Sequence, residues 1–423
     1  MPSEVDLLRS LDDEPRTPST VDVRRAIADG RRRRARRGVA YAGAATVTAL
    51  AVAGASVAGG LVTDEPPPAG SSGGPPTTAA ARPKGEYTIP GTADWRPTAV
   101  PPPSSCTLKR LPAPDGAPMA LISGGDPTGH YHVGRSYPRA GGYQAVIWHD
   151  GTPRKVMLPG DLEEALRDVN SKGTAVGWSF AGGEGDMGPV PYAYDGGKVV
   201  KLQGVRRGSA SAVNEAGAIV GDDDAGHALV WPSAAAKPIR LPVPAGTSGA
   251  TAADIDEDGT TVGTIGNNRA YVWFADGTHR ALPVPTLDGK PAAITRAVYI
   301  RNGWATGVAS NGLDAKGDGP NANLARGGAV ATVRWNVRTG ETQLVDGVRN
   351  MPDATNAQGW ILGIGPKGRA VLIAGETTVT LPDLGEPGDL STIANTLSDD
   401  GRTIGGQSDD ATDTIQAVVW HCQ

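Results

Sequence analysis

What the 423-residue chain lacks narrows its chemistry first. It holds two cysteines and two phenylalanines, and aromatic residues make up 5% of it. A lone pair of cysteines cannot form a paired-Cys zinc knuckle, which needs four ligands at close spacing. No serine nucleophile elbow and no Walker loop is present, so nucleophilic acyl transfer and nucleotide triphosphate binding lack their usual frames. Carboxylates are plentiful, yet none stands apart as a catalytic pair, and the chain reads as a non-enzyme that needs no cofactor. Net charge is −5, and ten arginines face seven acids in residues 1–37, which leaves −8 for the remainder. A nucleic-acid partner needs a basic footprint, and that remainder has none.

Glycine (59) and proline (35) are abundant, and many fall at periodic turns rather than in disordered tracts. Residues 253–285, ADIDEDGTTVGTIGNNRAYVWFADGTHRALPVP, read as four short strands separated by turn signals. The same sentence recurs about every forty residues. Its first turn, Asx-x-x-Gly, appears as Asp126…Gly129, Asn170…Gly173, Asn214…Gly217, Asp256…Gly259 and Asn356…Gly359, with Ser398…Gly401 a near match and a shortened Asn302-Gly303 in the fifth unit. The second strand closes on glycine at 134, 177, 221, 263, 307, 363 and 405. Third strands end in Trp148, Tyr194, Trp231, Trp273, Trp335, Ile373 and Trp420, and fourth strands carry leucine at 158, 202, 241, 282, 344 and 381. One large residue per repeat in fixed register is expected to pack between units rather than to stack on sugars. Four strands per forty-residue unit, seven times over, predict an all-β seven-bladed β-propeller over 106–423.

Seven third strands but six fourth strands leave one strand missing. CTLKRLP (106–112) has the fourth-strand pattern with no unit before it, and the chain stops three residues past Trp420. The N-terminal strand is therefore expected to complete the last blade and shut the ring, which removes both open sheet edges. That register brings Cys106 and Cys422 to the two sides of an absent turn, and a disulfide between them is predicted.

The repeat resembles the HAF-type extracellular repeat family, named for a His-Ala-Phe-like run before the third strand. Here the runs are His227-Ala228-Leu229, Arg269-Ala270-Tyr271, Arg369-Ala370-Val371, Gln144-Ala145-Val146 and Gln416-Ala417-Val418. The resemblance covers 106–423 and implies a propeller outside the cell, with little about activity. Phenylalanine is absent from all five runs, which marks a diverged member.

Residues 1–37 read as a cytoplasmic tail ending in RRRRARR (31–37), a topogenic charge cluster. The 25 residues from Gly38 to Val62 carry no charge, long enough for one transmembrane helix retained as a signal-anchor. With the arginines on its N-terminal side, the tail stays inside and the bulk lies outside, where a disulfide persists. Residues 63–105 are a Pro/Gly/Ser/Thr-rich linker holding the ring off the membrane. Tyr87 and Trp95 are expected to be exposed within it. The high-Arg/Ala composition is actinobacterial-like.

Three stretches mimic sites. Asp254-Ile255-Asp256-Glu257-Asp258-Gly259 opens like a Ca²⁺ loop, but its twelfth position is Ile265 instead of a bidentate glutamate. Gly183-Glu184-Gly185-Asp186-Met187-Gly188 spells the dinucleotide fingerprint and opens no helix. His130, His132 and His149 fall near one another without established ligand spacing, so no metal site is assigned.

Recognition is expected on the face where second strands pass to third and one blade passes to the next, since 178–191 and 308–328 are long there. Asp186, Asp222, Asp314, Lys316 and Asp318 are the expected lining residues. The preferred reading is a single-pass, N-in cell-membrane protein whose propeller binds an extracytoplasmic protein, glycan or wall component. Two alternatives stand beside it: a transmembrane sensor, anti-sigma-like, whose tail 1–37 holds a cytoplasmic regulator, and a propeller-type glycan lyase or hydrolase.

Overall fold

Every repeat is built on the same local device. In each inner strand the register with the second strand slips by one residue at an equivalent place, between Ile122 and Gly124, Leu166 and Asp168, Ala210 and Ala212, Ala252 and Asp254, Ala297 and Tyr299, Pro352 and Ala354, and Ala394 and Thr396. An extra residue on one strand bends it and raises its twist. The residue just before the bulge faces a glycine across the ladder: Gly134, Gly177, Gly221, Gly263, Gly307, Gly363 and Gly406. A Cβ on Gly221 or Gly263 would lie 1.9 Å from the carbonyl oxygen of Ser209 or Thr251. Close backbone approach at the bulge is thus why the second strand carries glycine in six of the blades, while at Gly363 the Val348 side chain fills the space. In the seventh blade that residue is Gly406 and not Gly405, which pairs with Thr396 one step past the bulge.

The structure, a computed structural model, describes residues 87–423 apart from 140–141, 161–162, 181–187, 267, 313–327, 350, 387 and 389–390. The expected tail (1–37) and membrane helix (38–62) lie outside the described residues. Among those described, no helix is long and apolar enough to cross a membrane. Seven four-stranded antiparallel sheets form the blades, together with one two-stranded ribbon in the connection between blades 4 and 5. Their inner strands are Met119–Gly125, Glu164–Val169, Gly208–Val213, Ala250–Ile255, Ile294–Arg301, Pro352–Thr355 and Thr392–Leu397. Each inner strand contacts the next, and the last contacts the first, so the ring is closed.

Closure follows the expected register. The strand Cys106–Arg110 is the outer strand of blade 7, with Cys106 opposite Cys422 and Leu108 opposite Trp420. The Leu111 amide continues the ladder to the Ala417 carbonyl at 2.8 Å. Cys106 and Cys422 form a disulfide.

The core lies between blades. Trp148, Trp231, Trp273, Trp335 and Trp420 are all fully buried. Their indole N–H groups donate to the carbonyls of Pro112, Gln203, Pro242, Pro283 and Pro382, each the residue after an outer-strand leucine of the preceding blade. A buried indole needs such an acceptor. The pairing explains the recurrent Leu-Pro: leucine fills the seam and the following residue offers its carbonyl to the next blade's tryptophan. The seam between blades 5 and 6 departs from the rule, with Ile373 in the tryptophan position and Leu344 46% exposed.

On the turn face a second ring of hydrogen bonds ties neighbours together. The Asn170 side chain caps its own turn by accepting from Lys172 and Thr174 amides, while its Nδ2 donates to the Asn214 carbonyl of the next blade. Asn356 does the same toward Ser398. One step on, Glu215 accepts from the Ser171 amide, Glu257 from the Glu215 amide, and Asp399 from the Ala357 amide. The Asx turns therefore brace the ring as well as reversing the chain.

Candidate ligand face and axial chamber

The fifth turn breaks the pattern with structural consequence. Asn302 and Gly303 both have positive φ (49° and 73°) and make a two-residue hairpin turn between Arg301 and Trp304. Arg301 consequently occupies the place where the other blades carry the capping Asx residue. Its guanidinium bonds Glu257 of blade 4 and, through Nε and Nη2, both carboxylate oxygens of Asp399 in blade 7, at 3.0 and 2.6 Å. Asp256 takes over the missing cap by accepting from the Asn302 and Gly303 amides. Three blades are joined by one side chain.

Above this cluster lies a strap made of residues expected to be free linker. Tyr87 (7% exposed) and Ile89 (1%) belong to the core between blades 3 and 4, and the Ile89 amide donates to the Ala275 carbonyl. The Thr92 amide donates to the Glu257 carbonyl, and Asn214 Nδ2 donates to the Pro90 carbonyl. The ring of Trp95, half-buried, sits 4.6 Å from the Arg301 guanidinium carbon. Gln358 of blade 6 then bonds the Thr98 carbonyl, and Ser104 and Ser105 pair with Gln423 in blade 7. Residues 87–105 thus cross the turn face from blade 4 to blade 7, and the expectation of exposed Tyr87 and Trp95 does not hold. Apolar Tyr87 and Ile89 two residues apart were the available signal, since alternation of this kind marks a half-buried extended segment.

Inside the ring the bulges line the axis. Residues just before a bulge, such as Ile122, Leu166 and Ala210, are sealed between blades, whereas the bulge residues other than the buried Val298 retain partial exposure although they stand on the innermost strands. Five of the seven bulge residues are uncharged: Ser123, Ser211, Ala253, Val298 and Asn395. The other two are Arg167 and Asp353, on opposite sides of the ring. One residue further on stand Asp168, Asp254 and Tyr299. Asp168 accepts from the Val213 amide and Asp254 from the Ile300 amide, so both brace the next inner strand. Burial pushes Asp168 up to about 8, with the Asp254 carboxylate adding to the rise, and pushes Asp254 and Asp353 up to about 7. Asp353 Oδ2 is buried with no hydrogen-bond partner. Toward the other mouth, Arg296 is 9% exposed, and its Nε and Nη1 also lack partners.

Of the expected lining residues, only Asp222 is described. It stands within the strand Ile219–Asp223, 7% exposed, with burial raising its carboxyl to about 7, and it is no loop end. The following Asp223 takes the loop role, accepting from the His227 amide and pairing with its Nδ1 at 2.9 Å. Asp186, Asp314, Lys316 and Asp318 lie outside the described residues. Between blades 3 and 4 a cleft of ≈130 Å³ is lined by His227, Arg240, Val243 and Thr247, well below the roughly 300–1,000 Å³ of small-molecule pockets.

The histidines do not converge. His130 pairs with Asp150 at 2.7 Å on the surface, His149 stacks on Tyr131, and His132 is buried, which lowers it to about 4. Asp256 spends its carboxylate on backbone amides, as a turn residue does. Of the fingerprint-like loop, only Gly188 is described.

No family model matches the chain, and no curated protein matches it. Among solved structures it is similar to the β-propeller domain of the Trilobed protease from Pyrococcus furiosus, described as having an open velcro topology. Identity is 12% and the TM-score 0.43, over 71% of this chain and 95% of that one. The architecture of this chain, read from its own sheets, is that of a seven-bladed β-propeller.

Proposed function

We propose that the chain is a membrane-anchored, non-enzymatic binding module: residues 38–62 hold it in the cell membrane, 1–37 face the cytoplasm, and the propeller stands outside and engages a protein, glycan or wall component. The observation that carries this reading is the Cys106–Cys422 disulfide at the ring closure. Both cysteines of the chain are spent on it, and such a bond persists in an oxidising compartment. The diverged HAF-type repeat and the actinobacterial-like composition agree with display at a cell surface. Labelling intact cells with a membrane-impermeant amine reagent tests the topology. Lysines of the propeller should react without lysis; labelling that requires lysis overturns the reading. Capture of an envelope component by the full chain, lost when the loop face is blocked, tests the binding role.

The strap favours a sensor role as the second reading. Trp95 of the strap packs on Arg301, which joins blades 4, 5 and 7, so a ligand that shifts this cluster would act on the strap. Capture of a cytoplasmic regulator by residues 1–37 supports that reading, and failure to capture one leaves display alone.

A further inference from the structure

The innermost strands carry charges that the fold does not use. The Arg301 cluster and the strap across the turn face occupy one end of the axis. At the loop-face end stands Arg296, on the same strand as Tyr299. Val298, which shares the layer of Arg167 and Asp353, is two residues beyond Arg296, about 7 Å at the usual rise of a strand. The Arg296 guanidinium has no hydrogen bond and no ion pair among the described residues, and two of its nitrogens are sealed from solvent. Arg167 likewise donates no hydrogen bond; the titratable and charged groups that act on it from a distance are Tyr299, Arg135 and Asp168. Asp353 has an orphaned oxygen and no cation beside it. Structural needs account for Asp168 and Asp254, which brace neighbouring strands, but not for these three side chains.

Unpaired buried charge is costly, and leaving it in place makes sense where a ligand supplies the missing partner. Two guanidiniums with no hydrogen-bonded acid select an anion, and their planar donors match a carboxylate. Asp353 and the Tyr299 hydroxyl each both donate and accept when the carboxyl is protonated, which suits hydroxyl groups better than an ammonium. We propose that the axial end of the ring binds an acidic sugar unit, its carboxylate meeting Arg296 and its hydroxyls meeting Asp353 and Tyr299. The proposal rests on the binding-module reading and names the ligand class for it.

The test is calorimetric titration of the full chain with glucuronate, glucose and inorganic phosphate. Glucuronate should bind, and glucose, which lacks the carboxylate, should bind about tenfold or more weakly. Arg296→Met should weaken glucuronate by about tenfold or more without lowering the melting temperature, because an unpartnered charge is removed. Asp353→Asn keeps a hydrogen-bonding group of the same shape and should retain most of the affinity, whereas Asp353→Leu should lose it. Four results overturn the proposal: no glucuronate binding, equal binding of glucose, tighter binding of phosphate, or an unchanged affinity in Arg296→Met. Partner capture by the loop face reads the broader binding role separately, so either can fail alone.

Discussion

Removing the ring closure is the perturbation with the clearest expected size. Cys106 and Cys422 are separated by 316 residues, nearly the whole propeller. The chain-entropy relation gives a ceiling of about 6 kcal/mol for so long a loop, and real disulfides fall short of it, so about 4–5 kcal/mol is expected. A domain of this size unfolds with an entropy of ~0.7 kcal/mol/K, and the loss therefore corresponds to a melting temperature lower by ~6–7 °C. The consequence reaches beyond the link itself. The strand that Cys106 tethers also delivers Leu111 to the core and the Pro112 carbonyl to the Trp148 indole of blade 1. Thermal melts followed by far-UV circular dichroism, with and without reductant, read the effect. The double variant Cys106→Ser/Cys422→Ser should coincide with the reduced wild type, because both lack only the link. A reduced protein that melts within about 1 °C of the oxidised one refutes the idea that this closure limits stability.

Three further outcomes follow from the geometry. Arg301→Met leaves Glu257 (2% exposed side chain) and Asp399 without their cation, and should cost about 3–5 kcal/mol in denaturant unfolding; Lys at this position should recover only part, lacking the fork that holds both oxygens of Asp399. Gly263→Ala drives a methyl into the Thr251 carbonyl and should cost about 1–3 kcal/mol or more, measured the same way, while Ala at Gly217, whose Cβ would meet nothing, pays only its positive-φ strain of about 1 kcal/mol. The pH dependence has a definite sign. Asp168, Asp254 and Asp353 are raised to about 8, 7 and 7 in the folded protein, so it holds more protons than the unfolded chain between about pH 4 and 8. Stability is thus highest at the acidic end of that window and falls as pH rises through it. Asp353→Asn, which cannot ionise, should raise the melting temperature at pH 8 and change it little at pH 5; a gain equal at both pH values contradicts the assignment.

The repeat was legible because propeller blades are made of local parts. Asx-x-x-Gly, the second-strand glycine, the terminal tryptophan and the Leu-Pro pair each satisfy a need met within forty residues, so each recurs visibly. Closure was legible for a related reason: a count of strands that fails to balance within the units must balance between the ends. The glycine position was readable without its cause, and in blade 7 a Gly-Gly pair hid which of two residues faced the bulge. Asp222 was misplaced as a loop residue because three consecutive aspartates resemble a turn, although its strand runs one residue further.

The amino-acid order by itself determined the number of blades, the strand that completes the last one and the partner of each cysteine. Tertiary structure alone decided what shares the axis. Arg167, Arg296, Tyr299 and Asp353 come from three blades, and Arg301 meets Asp399 98 residues away in sequence; only closing the circle brings them together. The strap was decided in the same way, because the surface that Tyr87, Ile89 and Trp95 cover exists only once blades 3, 4 and 5 stand side by side. Local pattern fixes how a blade forms, whereas charge pairing across a ring depends on curvature that no single repeat contains.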